Sequence, residues 1–367
     1  MKKLLLTTVI ASVALVGCVE DESLDPRKQA KQKVTFDTPV LFSNENSRAA
    51  VKGEMEEGAY NEDESFVVYA ISYENPFSSW TNGSTAAFNG TTVSYDGEDG
   101  WTPKDANGNP YFWESEYMAF AACSPADLEQ ANWDSEKRTY GATGLTIPDF
   151  EVAANPADQY DLLFSQRKHY QKADLSGVDE NYAGVPIVFQ HALSSIRFFI
   201  ENASTDGTVV KLVSITINDV NYKGTFNENI TENGVVYDRE TNVDPKWTVV
   251  TDATTDYTAI AVAEANAIEF PATATLVEDA NALLLMPQAL SDNANLEIKY
   301  LVNGVEKTKL VKLNALKSIN DALSTTIDSW EMGKRYNYVL RYNAKDKIYF
   351  VPTVEGWVDV NNIVISL

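Results

Sequence analysis

The stretch Ile187-Val188-Phe189-Gln190-His191-Ala192-Leu193-Ser194-Ser195-Ile196-Arg197-Phe198-Phe199-Ile200 decides the fold class. Its two apolar runs, 187–189 and 196–200, are short and rich in β-branched and aromatic residues, which favour strands. In the second run the apolar side chains Ile196, Phe198 and Ile200 recur at every second position, which is the period of a strand. The stretch therefore predicts two strands that are joined by small and polar residues.

The same pattern recurs along most of the chain and predicts an all-β protein. The dipeptide Asn303-Gly304 separates two such runs and is typical of a two-residue β-hairpin. The best helical stretch, 124–131, has a cap and a proline at its first position, so few and short helices are expected. Further strand-like runs lie at 66–71, 117–122, 212–217, 247–250, 283–286, 296–300, 336–340 and 363–365.

The spacing of these runs, roughly eight to twelve residues, is typical of β-sandwiches with Greek-key connections. The length leaves room for two ordinary domains or one large all-β domain. We predict two sandwiches in tandem, an N-terminal domain over 34–180 and a C-terminal domain over 181–367. The polar stretch 174–181 marks the expected boundary.

The first 18 residues predict export and a lipid anchor. Lys2 and Lys3 precede an apolar run at 4–15, which is too short to span a membrane and is typical of a cleaved signal peptide over residues 1–17. The order Leu15-Val16-Gly17-Cys18 is a bacterial lipobox, so Cys18 is expected to be lipidated and to begin the mature chain. Residues 18–33 are polar and charged, which predicts a tether between the lipid and the folded body.

The charge balance argues against nucleic acid as a partner. The formal net charge is -24, and removal of the signal peptide leaves 27 basic residues against 53 acidic ones. Such a field repels phosphate backbones and anionic membrane surfaces. The lipid on Cys18 is therefore the predicted contact with the membrane.

The residues that carry enzyme chemistry are scarce, and we predict a protein that is not an enzyme and binds no cofactor or metal. The sequence has no phosphate-binding loop, metal-ligand cluster or nucleophile elbow. Cys123 lies in an apolar run and is expected to be a buried thiol without a disulfide partner. His191 has no second histidine near it in sequence, so a hydrogen-bonded structural role is expected.

Several blocks recur in a fixed order after the tether and together resemble a known family. They are 111–113 with 120–125, 161–165, 185–198, 283–288, and 330–340 with 348–357. Behind a lipobox, this ordered set resembles the fimbrillin family of the Bacteroidales, the type V pilins with their FimA-like and Mfa-like surface lipoproteins. The resemblance implies transthyretin-like sandwiches and a cell-surface fimbria that mediates adhesion. It also implies association with other fimbrial subunits and anchoring in the outer membrane through Cys18.

The resemblance further implies assembly by donor-strand exchange. An arginine-specific protease would cut the exported lipoprotein between Arg48 and Ala49, and a strand from the next subunit would fill the groove that opens. The removable strand would comprise Val34, Phe36, Val40, Leu41 and Phe42, and the candidate donor strand Ile363, Val364, Ile365 and Leu367.

An alternative is a lipid-anchored surface protein, or an anchor or tip subunit, that binds a glycan or host protein without forming the fimbrial polymer. In that case Arg48 is not cut, and a ligand site is expected in loops near Trp80, Trp101 and Trp133. The stretch 82–109, which is rich in Gly, Asn, Asp, Ser and Thr, is interpreted as a long loop, and a solvated connection without a ligand is its favoured interpretation. A carbohydrate-active enzyme is disfavoured, because no local motif implies paired carboxylates.

Overall fold

The computed structural model describes residues 32–37, 39–41, 60, 62–73, 86–127, 137–172, 184–230, 245–277, 282–316, 326–343 and 349–356. This described part is built from strands, and its helices are three 3₁₀ turns at Pro156–Asp158, Glu264–Asn266 and Leu313–Ala315. The all-β prediction is confirmed. The strands are β1 (Val40–Leu41), β2 (Ser65–Tyr73), β3 (Ala86–Ser94), β4 (Tyr117–Ser124), β5 (Thr139–Gly141), β6 (Gly144–Glu151), β7 (Leu163–Gln171), β8 (Val188–His191), β9 (Ser194–Asn202), β10 (Val210–Asn221), β11 (Lys223–Asn227), β12 (Lys246–Val249), β13 (Thr254–Ala261), β14 (Ile268–Glu269), β15 (Thr275–Leu276), β16 (Leu283–Leu285), β17 (Gln288–Ala289), β18 (Asn295–Val302), β19 (Val305–Lys312), β20 (Ser329–Trp330), β21 (Lys334–Tyr342) and β22 (Tyr349–Gly356).

These strands form four larger sheets and one short pair. The six-stranded sheet has the order β1-β8-β7-β4-β2-β3, and a four-stranded sheet has the order β12-β11-β6-β5. Two five-stranded sheets contain β13-β10-β18-β19 with β14, and β15-β9-β21-β22 with β16, while β17 pairs with β20. The neighbouring strands are antiparallel except for the pairs β1–β8 and β9–β21.

The central strands of the six-stranded sheet are apolar on both faces. In β2, Phe66 and Val68 face one core, whereas Val67 and Tyr69 face the other. The sheet is therefore covered on both sides, which explains why its sequence shows continuous apolar runs. The smaller of the two cores, here called the N-terminal core, consists of Val34, Phe36, Tyr60, Phe66, Val68, Ala70, Phe88, Val93, Trp101, Trp113, Met118, Phe120, Ala122, Leu163, Val185, Ile187 and Phe189.

The other face of the six-stranded sheet packs on the four-stranded sheet. The rings of Phe164 in β7 and Phe226 in β11 have centroids 5.0 Å apart, and Tyr69 in β2 stacks on Tyr140 in β5 at 5.0 Å. Interdigitating side chains between two facing sheets are the architecture of a β-sandwich. The inward-facing side chains of the two five-stranded sheets belong to the same large core.

Two local predictions have different outcomes. The hairpin at Asn303-Gly304 is confirmed, because both residues have positive φ and join β18 directly to β19. The prediction of a long polar loop over 82–109 is wrong for the described residues, since β3 (Ala86–Ser94) pairs along β2. The following residues are held by short bridges, Asp96 with Gly100 and Lys104 with Pro110.

The domain boundary at 180/181 stays a prediction. Strands on either side of it pair with each other, β1 with β8 and β6 with β11. Residues 33–367 form one compact unit of the chain. In the described residues, no helix is long and apolar enough to cross a membrane.

A buried ionisable pair lies where β7 meets the four-stranded sheet. The Glu228 carboxylate accepts hydrogen bonds from the backbone N–H groups of Leu145, at 2.8 Å, and Arg167, at 3.4 Å. The Arg167 guanidinium donates to the carbonyl oxygens of Gly141 and Ala142. Burial raises the pKa of Glu228 to about 7, although these N–H donors and the nearby guanidinium oppose the shift.

We expect Glu228→Gln to change how the free energy of unfolding depends on pH. Because the pKa of Glu228 is raised from 4.5 to about 7 on folding, the native state binds its proton more tightly than the unfolded chain does. Wild type should therefore lose about 3 kcal/mol, relative to the variant, as the pH rises from 4.5 to 8. Urea unfolding at both pH values measures the difference.

The matched control is Glu297→Gln on β18, which lies on the partly exposed side of its sheet. The free energy of unfolding of this variant should change between the two pH values by the same amount as that of wild type. Equal pH dependence for Glu228→Gln and wild type would show that the buried carboxyl keeps an ordinary pKa.

Candidate functional site

The candidate site is the place where the start of the described chain enters the fold. Residues 33–41, here called the leading segment, run between two other parts of the chain. On one side the N–H groups of Val34 and Phe36 donate to the carbonyl oxygens of Tyr111 and Trp101, both at 2.9 Å. On the other side Val185 accepts from the Asp37 N–H at 3.1 Å and donates to the Thr35 carbonyl at 2.8 Å.

The leading segment continues as β1, whose residues Val40 and Leu41 pair in parallel with Val188 and Phe189 of β8. The predicted removable strand is thus placed at the edge of the six-stranded sheet, as far as its residues are described. Phe42, the last member of that strand, lies outside the described residues.

Two side chains of the leading segment point into the N-terminal core. Val34 is 0% exposed and Phe36 is 2% exposed, whereas Lys33, directly before Val34, is exposed. The Phe36 ring meets Phe66 and Phe120 edge to face, with centroids 5.9 and 5.7 Å apart. The alternation of inward and outward side chains is that of a strand that serves as one wall of a core.

Tyr60 completes the same wall from a later point in the chain. Its ring lies 5.2 Å from Phe189 and 5.5 Å from Trp101, measured between centroids. Its hydroxyl shares a hydrogen bond with the Ser124 hydroxyl at 2.5 Å and donates to the Ser65 carbonyl at 2.9 Å. The Tyr60 N–H donates to the carbonyl oxygen of Pro39 at 2.8 Å, so residues 39 and 60 are adjacent.

Gly184 lies directly against the backbone of the leading segment. Its φ is +121°, a conformation that residues with a side chain rarely adopt. A Cβ atom at this position would lie 2.5 Å from the carbonyl carbon of Phe36 and 2.6 Å from the carbonyl oxygen of Thr35. The backbone of the leading segment therefore occupies the space that any other residue at position 184 would need.

A charged cluster lies beside the entry of the leading segment. Lys33 and Asp99 are 3.4 Å apart, and Lys104 contacts Asp96 at 2.5 Å and Asp99 at 3.2 Å. Lys104 and then Lys33 lower the pKa of Asp99. These side chains are 30% to 49% exposed, so water screens the ion pairs and the cluster contributes little to stability.

The other residues singled out by the sequence have structural positions. Cys123 is buried in the large core, and burial raises the pKa of its thiol, as expected for an inert cysteine. His191 is buried with its Nδ1 2.8 Å from Asp161 Oδ2, which confirms a hydrogen-bonded role. Within the described ranges, no group of His, Cys, Asp and Glu side chains is arranged to hold a metal ion.

Several predicted positions lie outside the described residues. They are Cys18, the cut site Arg48-Ala49, the tryptophans Trp80 and Trp133, and the candidate donor strand Ile363, Val364, Ile365 and Leu367. Trp101, predicted near a ligand-binding loop, is buried in the N-terminal core instead. Sequence reasoning missed the roles of Tyr60 and Gly184, and the only local signal was a glycine directly before the run Val185-Pro186-Ile187.

A family model described as fimbrillin-like matches residues 48–357. This chain belongs to the fimbrillin-like family. The resemblance predicted from the sequence blocks is confirmed, and family membership indicates a fimbrial or adhesin subunit at the cell surface that associates with other fimbrial subunits. A search of curated proteins found no match.

Solved structures that are similar to this fimbrillin-like protein include three from species of Bacteroides. A fimbrial protein from Bacteroides vulgatus is 17% identical with a TM-score of 0.48, covering 81% of this chain and 93% of its own. A candidate cell adhesion protein from Bacteroides uniformis is 15% identical with a TM-score of 0.47, covering 90% and 99%. One from Bacteroides ovatus is 12% identical with a TM-score of 0.49, covering 91% and 100%.

We expect Phe36→Ala to lower the free energy of unfolding of this fimbrillin-like protein by about 3 to 5 kcal/mol. The substitution removes a buried ring from the wall between Phe66 and Phe120, and the surrounding strands cannot fill the space. Chemical unfolding followed by tryptophan fluorescence measures the change. Thr35→Ala is the control, since the Thr35 side chain is only partly buried and should change stability by about 0.5 kcal/mol or less. Equal effects of the two variants would mean that the leading segment does not form the core wall.

We expect Gly184→Ala to loosen the leading segment while the rest of the fold persists. The new Cβ would meet the backbone of residues 35–37, so the hydrogen bonds of the Phe36 and Asp37 N–H groups should open more often. Hydrogen exchange of these two amides should become at least about tenfold faster. Gly207→Ala is the control, because Gly207 also has positive φ, at +81°, but has open space around it. Unchanged hydrogen exchange at the Phe36 amide in Gly184→Ala would show that the leading segment tolerates a side chain at position 184.

Proposed function

We propose that this fimbrillin-like protein is exported as a lipoprotein, cut after Arg48 by an arginine-specific protease, and assembled into a fimbria by donor-strand exchange. The observation that carries the proposal is the leading segment, which is extended, hydrogen-bonded on both sides and buried through Val34 and Phe36. The family match starts at Arg48, after this segment.

The proposed cut lies between two described points of the chain. β1 ends at Leu41, before Arg48, and Tyr60, after Arg48, donates its N–H to the Pro39 carbonyl. A cut at Arg48 would separate the leading segment and the Cys18 lipid from the body. Tyr60 would remain, with its ring and hydroxyl still held by Phe189 and Ser124.

Loss of the leading segment would open a groove that an incoming strand can refill. The carbonyl oxygens of Trp101 and Tyr111 and both backbone groups of Val185 would lose their partners. The pockets of Val34 and Phe36 would be exposed, at a cost of roughly 1.5 to 3 kcal/mol for each side chain. An extended strand with alternating apolar side chains restores both kinds of contact, which is the principle of β-augmentation.

The donor would be the end of another subunit, with the apolar residues Ile363, Val364, Ile365 and Leu367 as candidates. The partners are then other fimbrial subunits, and the outer membrane through Cys18 before processing. The alternative is a surface protein that binds ligands without polymerising. It expected a ligand site in a loop near Trp101, but Trp101 is buried in the N-terminal core.

The test is the mass and N-terminal sequence of the protein recovered from the surface of its own cells, for wild type and Arg48→Ala. Wild type should begin at Ala49 and run as a heat-labile ladder, whereas Arg48→Ala should keep an acylated Cys18 and run as a single species. Arg138→Ala is the control, since that arginine donates to the carbonyls of Pro125 and Ala126 within the body and should not affect the cut. Wild type with an acylated Cys18 and no ladder would contradict the proposal.

A further inference from the structure

The strand β19 forms an exposed outer edge of its five-stranded sheet. It pairs with β18 on one side, and the described residues place no strand on its other side. Six of its eight residues are exposed. Val305 and Leu310, at 56% and 60%, are the most exposed large hydrophobic residues in the described part of the chain. Both faces of this strand therefore present side chains to solvent.

Three lysines lie on the same strand. Lys307 and Lys309 share one face, and Lys312 is on the other. Among the described residues, no carboxylate forms an ion pair with any of the three, whereas Lys299 on the neighbouring strand pairs with Glu297 at 3.5 Å. β19 itself carries a single glutamate. In a chain with 53 acidic and 29 basic residues, this strand is a local exception to the charge balance.

The composition of β19 favours contact through side chains. Lysines at a sheet edge keep a further strand from pairing with it, so strand addition is disfavoured here. That protective role does not account for the exposure of Val305 and Leu310 beside them. A partner surface that carries carboxylates would pair with the lysines and bury the two apolar side chains at the same time.

Another surface of the same chain has the complementary charge. Ser65 pairs with Ser94, so the residues before β2 and those after β3 lie at the same end of the six-stranded sheet. This end, here called the acidic corner, carries the carboxylates of Glu62, Asp63, Glu64, Asp96, Glu98 and Asp99. Lys33 and Lys104 neutralise only part of its charge.

We infer that β19 of one copy docks on the acidic corner of a second copy. Two β19 strands facing each other would bring lysines together, and two acidic corners would repel, so charge favours the pairing of the unlike surfaces. Such a contact is heterologous and can repeat from one subunit to the next. It gives a location to the association with other fimbrial subunits that family membership indicates, and it needs neither the groove nor the cut at Arg48.

The test measures self-association of the uncut chain by sedimentation velocity at about 0.1 M salt, where a Debye length of about 10 Å screens distant charges more than contacting ones. Arg48→Ala and Cys18→Ala are present throughout, so neither strand exchange nor a lipid contributes. The edge variant, Lys307→Glu/Lys309→Glu/Lys312→Glu, should raise the dissociation constant at least about tenfold, because each attractive pair becomes a repulsive one.

The matched control, Lys137→Glu/Lys168→Glu/Lys172→Glu, changes the net charge by the same amount away from β19. Any weakening through net charge alone is common to both variants, so the dissociation constant of the edge variant should exceed that of the control by about tenfold.

The corner variant, Glu62→Lys/Glu64→Lys/Glu98→Lys, tests the other surface. It lowers the net negative charge, which by itself would favour association. We nevertheless expect it to dissociate at least about tenfold more readily than the unsubstituted surface, since its corner repels β19. An equal mixture of the edge and corner variants should associate again, because the corner variant keeps β19 and the edge variant keeps the acidic corner.

Three outcomes would overturn the inference. They are a chain with unaltered surfaces that stays monomeric up to about 1 mM, an edge variant no weaker than the control, and a corner variant that still associates. Binding of dextran sulfate to the β19 lysines of a monomeric chain would identify an anionic polysaccharide as the occupant and overturn the second-copy contact. Strand exchange requires the cut protein, so the absence of a ladder after the cut would overturn the proposed function alone.

Discussion

Backbone hydrogen bonding of the leading segment from both sides is the constraint on which the N-terminal half of the structure depends. The segment hydrogen-bonds to the 101–111 region on one side and pairs with the 185–189 region on the other. The backbone of Thr35 and Phe36 passes so close to Gly184 that a side chain at position 184 would collide with it. On the face of the six-stranded sheet that carries Phe66 and Phe120, this strand contributes Val34 and Phe36 to the N-terminal core.

The double-sided burial of the six-stranded sheet determines which elements the sequence could predict. β2 and β4 are apolar on both faces, so their continuous runs at 66–71 and 117–122 were recognisable as strands. β3 was not, because it is the edge of the sheet and carries Asn89, Gly90, Thr91 and Thr92 in its middle. The pairing with β2 shifts register between Asn89 and Thr91, and Gly90 has a φ of +77° there, so the alternation that marks a strand is broken.

The site was partly predictable for a similar reason. The alternation of Val34 and Phe36 is local, and it suffices to predict a strand with one buried face. The partners of that strand are far away in the sequence, at 101, 111 and 185, and no periodicity encodes which distant segments will meet. Tyr60 is a single large apolar residue between Gly58-Ala59 and the polar residues that follow it, and Gly184 acts through its lack of a side chain. Neither therefore carries a local pattern that points to the groove.

The position of Tyr60 explains how one cut could prepare the groove without collapsing it. Tyr60 belongs to the body yet touches Phe66, Trp101 and Phe189, so it supports the aromatic wall from the side that the leading segment does not cover. Its hydroxyl is fixed by Ser65 and Ser124, which belong to β2 and β4 rather than to the leading segment. If the leading segment is removed as proposed, the space that it leaves would be bounded by a side chain with partners elsewhere in the body. A preorganised groove of this kind spares an incoming strand the entropic cost of ordering its receptor, so its own backbone hydrogen bonds and apolar side chains count almost fully toward affinity.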